Sequence, residues 1–229
     1  MTPRLVGPVM TVLAVACIGE KSPPAAAPPA ASTPPAAPAA AASPDVLVRG
    51  VVRLAPTLSF RPCDGGAQRA VLDSSNNRLV AVYRTLRAGD ETGLYLLGIG
   101  SAGGNSALVL RDLEYSDVSA DAECNNPAPS YRVMARGTAP AWQLTITDAG
   151  IEYSDSAFAD GVRFPPATID DSSGWTRYRS SGGDAKPIQL ITNRNGCAER
   201  SGTSYAAMQA AVTFDGRTRT GCAWRGRLR

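Results

Sequence analysis

Two groups of carboxylates are the first residues in this chain with the means to do chemistry. Asp112, Glu114, Asp117, Asp121 and Glu123 crowd into the run before Cys124, and Asp170 stands beside Asp171. Two acids can hydrolyse a glycosidic bond when they flank it across a cleft. Neither group has that form in sequence. The first lacks the glycine-centred spacing of a calcium loop and reads as a solvated, charged strand edge. Neighbouring carboxylates on a strand point to opposite faces, and Ser172, Ser173 and Gly174 after Asp171 signal a turn.

What the chain omits narrows the chemistry further. It has no histidine, which removes His-based triads, His general bases and His-ligated metals together. The lysines are Lys21 and Lys186, and neither follows a serine by three positions, so the Ser-x-x-Lys arrangement is absent. No CxxC occurs, and lone thiols without histidine make a poor zinc site. No catalytic residue, metal or cofactor is expected. A formal net charge of +3 is too mild to argue for nucleic acid.

Recognition chemistry remains. Trp175 and Tyr178 lie in a polar stretch, and Arg217 and Arg219 begin an acid-free tail that continues through Arg225, Arg227 and Arg229. Aromatic faces stack on rings, and guanidinium groups pair with carboxylate or phosphate. Trp175, Tyr178, Arg217 and Arg219 are therefore the candidate ligand-binding residues. Trp142 and Trp224 sit on alternating strands and are expected in the core, and the arginine tail, which could bind anionic lipid or another polyanion, is expected to be a frayed, soluble C-terminus.

The elements that must position these residues begin about 45 residues into the chain. Residues 1–16 have a basic start (Arg4) and a short apolar middle, the shape of a secretory signal peptide. Ala14-Val15-Ala16-Cys17 resembles a bacterial lipobox, which implies lipidation of Cys17. Residues 22–44 then hold eleven Ala and eight Pro without a charge. Such composition favours polyproline II over helix and predicts a disordered tether for residues 17–44. No apolar run reaches the ~18–20 residues that span a bilayer. Cys63, Cys124, Cys197 and Cys222 form an even set in an exported chain, so two disulfides are expected. Three pairings are possible, and Cys63–Cys124 with Cys197–Cys222 is favoured because it staples each half separately.

Residues 45–126 read as short strands around one helix. Val46, Val48 and Val51–Leu54 lead into Leu58–Phe60, and "GLYLLGIG" and "ALVLRDLEY" follow. Between them "NRLVAVYRTLR" places Leu79, Val82, Tyr83 and Leu86 on one helical face, with Ser74, Ser75 or Asn76 available as cap. "RGVVRLAPTLSFRPCDGG", "LVAVYRTL", "GLYLLGIG" and the closing "AEC" resemble the OB-like barrel at the C-terminal end of NlpE-type outer-membrane lipoproteins. That family is associated with copper resistance and envelope stress. Its CxxC-bearing barrel has no counterpart here, so the resemblance implies no copper site.

Residues 130–229 read as a second, all-β domain. "WQLTIT" alternates Trp142, Leu144 and Ile146 with polar residues. "GIEYS" and "IQLIT" add strands, and "AAMQAAVTFDGRTRTGCAW" is a hairpin about Asp215-Gly216. "RGTAPAW" and the paired "CAERSGTSY" and "FDGRTRTGCA" resemble an uncharacterised family of bacterial envelope lipoproteins, which implies a compact, disulfide-bonded β domain and no activity. The expectation as a whole is a mainly β protein of two small barrel or sandwich domains, the first OB-like with one short helix. It is held by a lipid on the periplasmic side of the outer membrane and binds an envelope protein or glycan without catalysis. Two alternatives stand beside it: an inhibitor or stress-signalling partner of an envelope enzyme, and a carboxylate-dependent glycan hydrolase.

Overall fold

The computed structural model describes residues 43–86, 92–102, 107–182, 186–199 and 201–227. The signal peptide, Cys17, the tether up to residue 42 and Arg229 lie outside them. The described chain is mainly β, built as a closed five-stranded barrel and a larger sheet curled into a half-barrel.

The barrel is made by β1 (Val46–Leu54), β2 (Leu58–Pro62), β3 (Arg69–Asp73), β4 (Leu94–Ala102) and β5 (Leu108–Asp117), with α1 (Arg78–Leu86) between β3 and β4. The strands pair in the circular order β1-β2-β3-β5-β4, antiparallel except for β3 with β5. A five-stranded barrel in this order is OB-like. So small a barrel must coil its strands tightly. At Gly98 in β4 an added Cβ would lie 2.7 Å from the Asp112 carbonyl oxygen, and the β4–β5 register slips beside Gly98 and Gly100. Such bulges sharpen the bend.

β4 is an unbroken apolar run because both of its faces are covered. Leu94 and Leu96 face the barrel interior, while Tyr95 and Leu97 face the second sheet. Leu79, Val82 and Tyr83 of α1 fill the rest of the interior. The helix is capped by Asp73, not by the serine and asparagine candidates: Asp73 Oδ2 accepts the Val80 N–H at 3.3 Å. Asn76 and Asn77, both at positive φ, turn the chain into the helix.

The second half supplies α2 (Ala120–Asn125), β6 (Val133–Thr138), β7 (Ala141–Ile146), β8 (Ile151–Asp155), β9 (Phe158–Phe164) and β10 (Thr168–Ser172). β11 (Trp175–Ser180), β12 (Ile188–Asn193), β13 (Cys197–Ala198), β14 (Ser204–Ala206), β15 (Met208–Phe214) and β16 (Arg217–Arg225) follow. Nine of these strands form one sheet in the order β10-β11-β12-β15-β16-β6-β7-β8-β9. β9 and β10 are its two outermost strands, yet only residues 165–167 lie between them. A link of that length reaches roughly 14 Å at most, far short of nine strands spaced ~4.8 Å apart. The sheet has to curl until its edges approach. Ser180 Oγ donates to the Pro165 carbonyl at 2.8 Å and pins that corner.

Alternation fills the hollow of the half-barrel. Trp142, Leu144 and Ile146 of β7 and Met208, Ala210, Val212 and Phe214 of β15 all join its core. Phe158, Phe164 and Tyr153 meet Phe214 edge-on at 5.2, 5.3 and 5.4 Å. Asp215 and Gly216, at φ 50° and 70°, make the two-residue turn into β16, where positive dihedrals match the strand twist.

The two halves exchange an element. β13 and β14 leave the nine-stranded sheet, and β14 pairs with β5, Ala206 opposite Tyr115. Cys197–Cys222 ties this hairpin to β16, and Cys63–Cys124 ties the end of β2 to α2. Between the sheets Tyr115 stacks on Trp224 with ring centroids 4.3 Å apart.

Two expectations are overturned here. The acidic stretch is not a solvated edge along β5: Glu114 is wholly buried and Asp117 is 7% exposed, because β5 has strands on both sides, while Asp121 on the following helix is exposed. Asp117 accepts the Tyr115 hydroxyl at 2.8 Å and the Ser119 N–H at 2.7 Å, and arginines distant in sequence meet Glu114. Nor is the tail frayed as far as residue 225, because β16 is paired with β15 on one side and β6 on the other.

Candidate functional site

Antiparallel pairing brings alternate strand starts and strand ends to one rim of a sheet. At the rim where β6, β11 and β15 begin and β12 and β16 end, the half-barrel opens on a cavity of about 430 Å³. Arg132 stands just before β6, Arg194 just after β12, Arg225 at the end of β16 and Arg227 beyond it; all four line the cavity. No carboxylate lines it among the described residues.

Two acids of the barrel, buried Glu114 and half-buried Asp112, hold two of these arginines. Glu114 Oε1 accepts from Arg225 Nε at 2.8 Å and Arg194 Nη2 at 3.3 Å, while Oε2 accepts the Arg225 backbone N–H at 3.0 Å. Asp112 accepts from Arg78 at 3.2 Å and from Arg225 at 3.3 Å, and also meets Arg194. The other two arginines have a softer partner. Asp148, exposed in the β7–β8 turn, pairs with Arg227 and Arg132, whose hydrogen bonds hold its carboxyl below the usual carboxylate range. With Arg78 of α1, which does not line the cavity, five arginines thus share three carboxylates.

Trp175 opens β11 on the same rim, and the Arg177 guanidinium sits 4.5 Å from its ring centroid. Tyr178, Thr192 and Met208 are buried beneath and form the floor. Of the four candidate ligand-binding residues, the structure therefore brings Trp175 and Tyr178 to one cavity. Arg217 and Arg219 start β16, eight and six residues from Arg225, or roughly 27 and 20 Å along a strand. Arg219 lies 2.7 Å from buried Asp155, which also accepts the Tyr153 hydroxyl at 2.7 Å. Burial would raise the Asp155 carboxyl, but hydrogen bonds from Tyr153, Ala157 and Phe158 and the Arg219 charge keep it below its ordinary value.

Arg132 and Arg194 were not legible as site residues. Nothing in their flanking sequence marks them, and only the strand register aligns them with Arg225 and Trp175. Trp142 and Trp224 take core positions: their indole N–H groups donate to the Thr220 carbonyl at 3.1 Å and the Tyr131 hydroxyl at 2.9 Å.

Two further cavities are weaker candidates. One of about 390 Å³ runs beside Cys197 and Cys222, and one of about 280 Å³ is walled by Tyr95, Tyr115, Tyr131 and Trp224. In the latter the polar groups serve one another, with Arg136 donating to the Tyr115 hydroxyl at 2.8 Å. None of the three cavities is lined by two carboxylates. Among the described residues no group of three or more potential metal ligands occurs. The arginine rim can hold an anion. No protein-family model, curated protein or solved structure matches the chain.

Proposed function

We propose that this chain is an exported lipoprotein, anchored through Cys17 on the periplasmic side of the outer membrane, whose half-barrel binds an envelope ligand without turning it over. The observation that carries the binding role is the rim cavity: four arginines and a partly exposed tryptophan converge there, unopposed on its walls by any described acid. Ligand pockets join an apolar floor to a few convergent polar groups in this way. Two disulfides support an oxidising compartment, and the small residues before Cys17 support the anchor. The OB-like strand order supports the likeness of residues 45–126 to the NlpE-type barrel. The hydrolase alternative requires two acids across one cleft, which none of the three cavities offers.

Two measurements test this reading. Palmitate label is expected on the parent chain and not on Cys17→Ala, and an unlabelled parent defeats the anchor. Titration of the full chain with a panel of neutral sugars, acidic sugars and acidic dipeptides should give a saturable change in tryptophan emission that Trp175→Leu abolishes. A panel that is silent throughout defeats the pocket.

A further inference from the structure

Resting on the rim cavity as a binding pocket, we infer that its ligand is an anionic sugar, with the ring on Trp175 and a phosphate or carboxylate on the arginine wall. The charge comes first. Every charged side chain lining the cavity is an arginine, and these four arginines meet three carboxylates, Asp112, Glu114 and Asp148, none of which lines it. The planar fork of guanidinium fits carboxylate and phosphate, whereas a neutral ligand would leave that charge unanswered.

The wall is also half rigid and half adaptable. Arg225 and Arg194 are fixed from behind by Glu114, which is fully buried. Arg132 and Arg227 are held only by exposed Asp148, and exposed pairs of that kind contribute little. An incoming anion therefore meets two preset donors and recruits two others at small cost.

The rest of the cavity selects the part that carries the anion. Trp175 lines the pocket while Arg177 stacks against it at 4.5 Å, which sets the indole plane and puts an aromatic surface for a ring on the cavity wall. Ser172, Thr176, Thr192 and Asn193 offer neutral donors and acceptors for hydroxyl groups. A volume of about 430 Å³ is near the lower end for ligand pockets, which suits one or two rings and not a polymer segment. A lipid tail has no room to enter, since Val133 and Met208 below belong to the filled core of the half-barrel. Inorganic phosphate alone would leave Trp175 unused.

Calorimetric titration of the full chain with glucuronate, glucose 1-phosphate, glucose, inorganic phosphate and phosphatidylglycerol vesicles tests this. Glucuronate and glucose 1-phosphate should bind at least about tenfold more tightly than glucose or inorganic phosphate, with affinity falling as salt rises. Arg227→Gln and Arg132→Gln should each weaken both acidic sugars by about tenfold, as the loss of one charge-assisted bond predicts. Trp175→Leu should do the same, Trp175→Phe should restore most of the affinity, and Arg217→Gln at the opposite rim should change nothing. Glucose binding as well as glucuronate, phosphate binding as well as glucose 1-phosphate, or vesicle binding lost in Arg227→Gln would each overturn the inference and leave the pocket in place. So would failure of both acidic sugars where an acidic dipeptide still moves the Trp175 signal. Silence from every probe removes the pocket as well.

Discussion

Single residues carry most of the burial pattern that the sequence announces. Trp142 and Trp224 were expected inside and are each 4% exposed, because alternation along a strand is a local signal. Glu114 was not expected inside. Its partners lie 80 and 111 residues away, and no local pattern reports a counter-charge at that separation. The tyrosines give the residue scale its own prediction. Burial chiefly pushes Tyr95 up to about 12 and raises Tyr115, Tyr131, Tyr153 and Tyr205 as well. A phenol that ionises later in the fold than in the unfolded chain contributes stability that is fully present below about pH 10. That contribution is lost as pH rises through the folded value. Tyr95 alone accounts for roughly 2–3 kcal/mol between pH 10 and 12. Tyrosinate absorbance should therefore lag at first and then climb together with the loss of circular dichroism. A smooth titration of all seven tyrosines near pH 10, with the fold retained, would contradict this.

Elements were legible where their signals were local. The α1 stripe, the unbroken β4, the alternating β7 and the Asp215-Gly216 hairpin all follow from periodicity and turn chemistry. β10 was not legible, since all five of its residues are exposed and its sequence shows no apolar alternation. The parallel pairing of β3 with β5 was equally hidden, because it depends on closure of the barrel and not on either strand. At this scale the clearest test is the Cys197–Cys222 bond, which ties the β13–β14 hairpin to β16 across 25 residues. By the chain-entropy relation its removal costs about 3.5 kcal/mol. The Cys197→Ala, Cys222→Ala pair should lose about that much in urea denaturation. Protease cleavage within residues 197–206 should appear first, and unchanged stability would show that β-pairing alone holds the hairpin.

For the whole molecule, the four cysteines that follow Cys17 anticipated two bonds, and the structure holds Cys63 to Cys124 and Cys197 to Cys222. The sharing of β13 and β14 was not anticipated. It arises because Ser204–Ala206 finds its partner in β5 and not in the sheet that surrounds it in sequence. Arg225 makes the same connection in charge, reaching Glu114 from the far end of the chain. A fragment comprising residues 43–127 should therefore fall well short of its stability within the whole chain. Its chemical-shift spectrum should lack dispersion for residues 112–117. A well-dispersed fragment that unfolds at the same urea concentration as the intact chain would show that the loan of strands is dispensable.

That loan also sets an order of assembly. Synthesis runs from the amino end, so the barrel sequence is complete while the arginine that answers Glu114 and the hairpin that covers residues 115–117 are still to be made. Through that interval the half-finished molecule has an open seam and an unpaired carboxylate, and residues 194–225 are the ones that shut it.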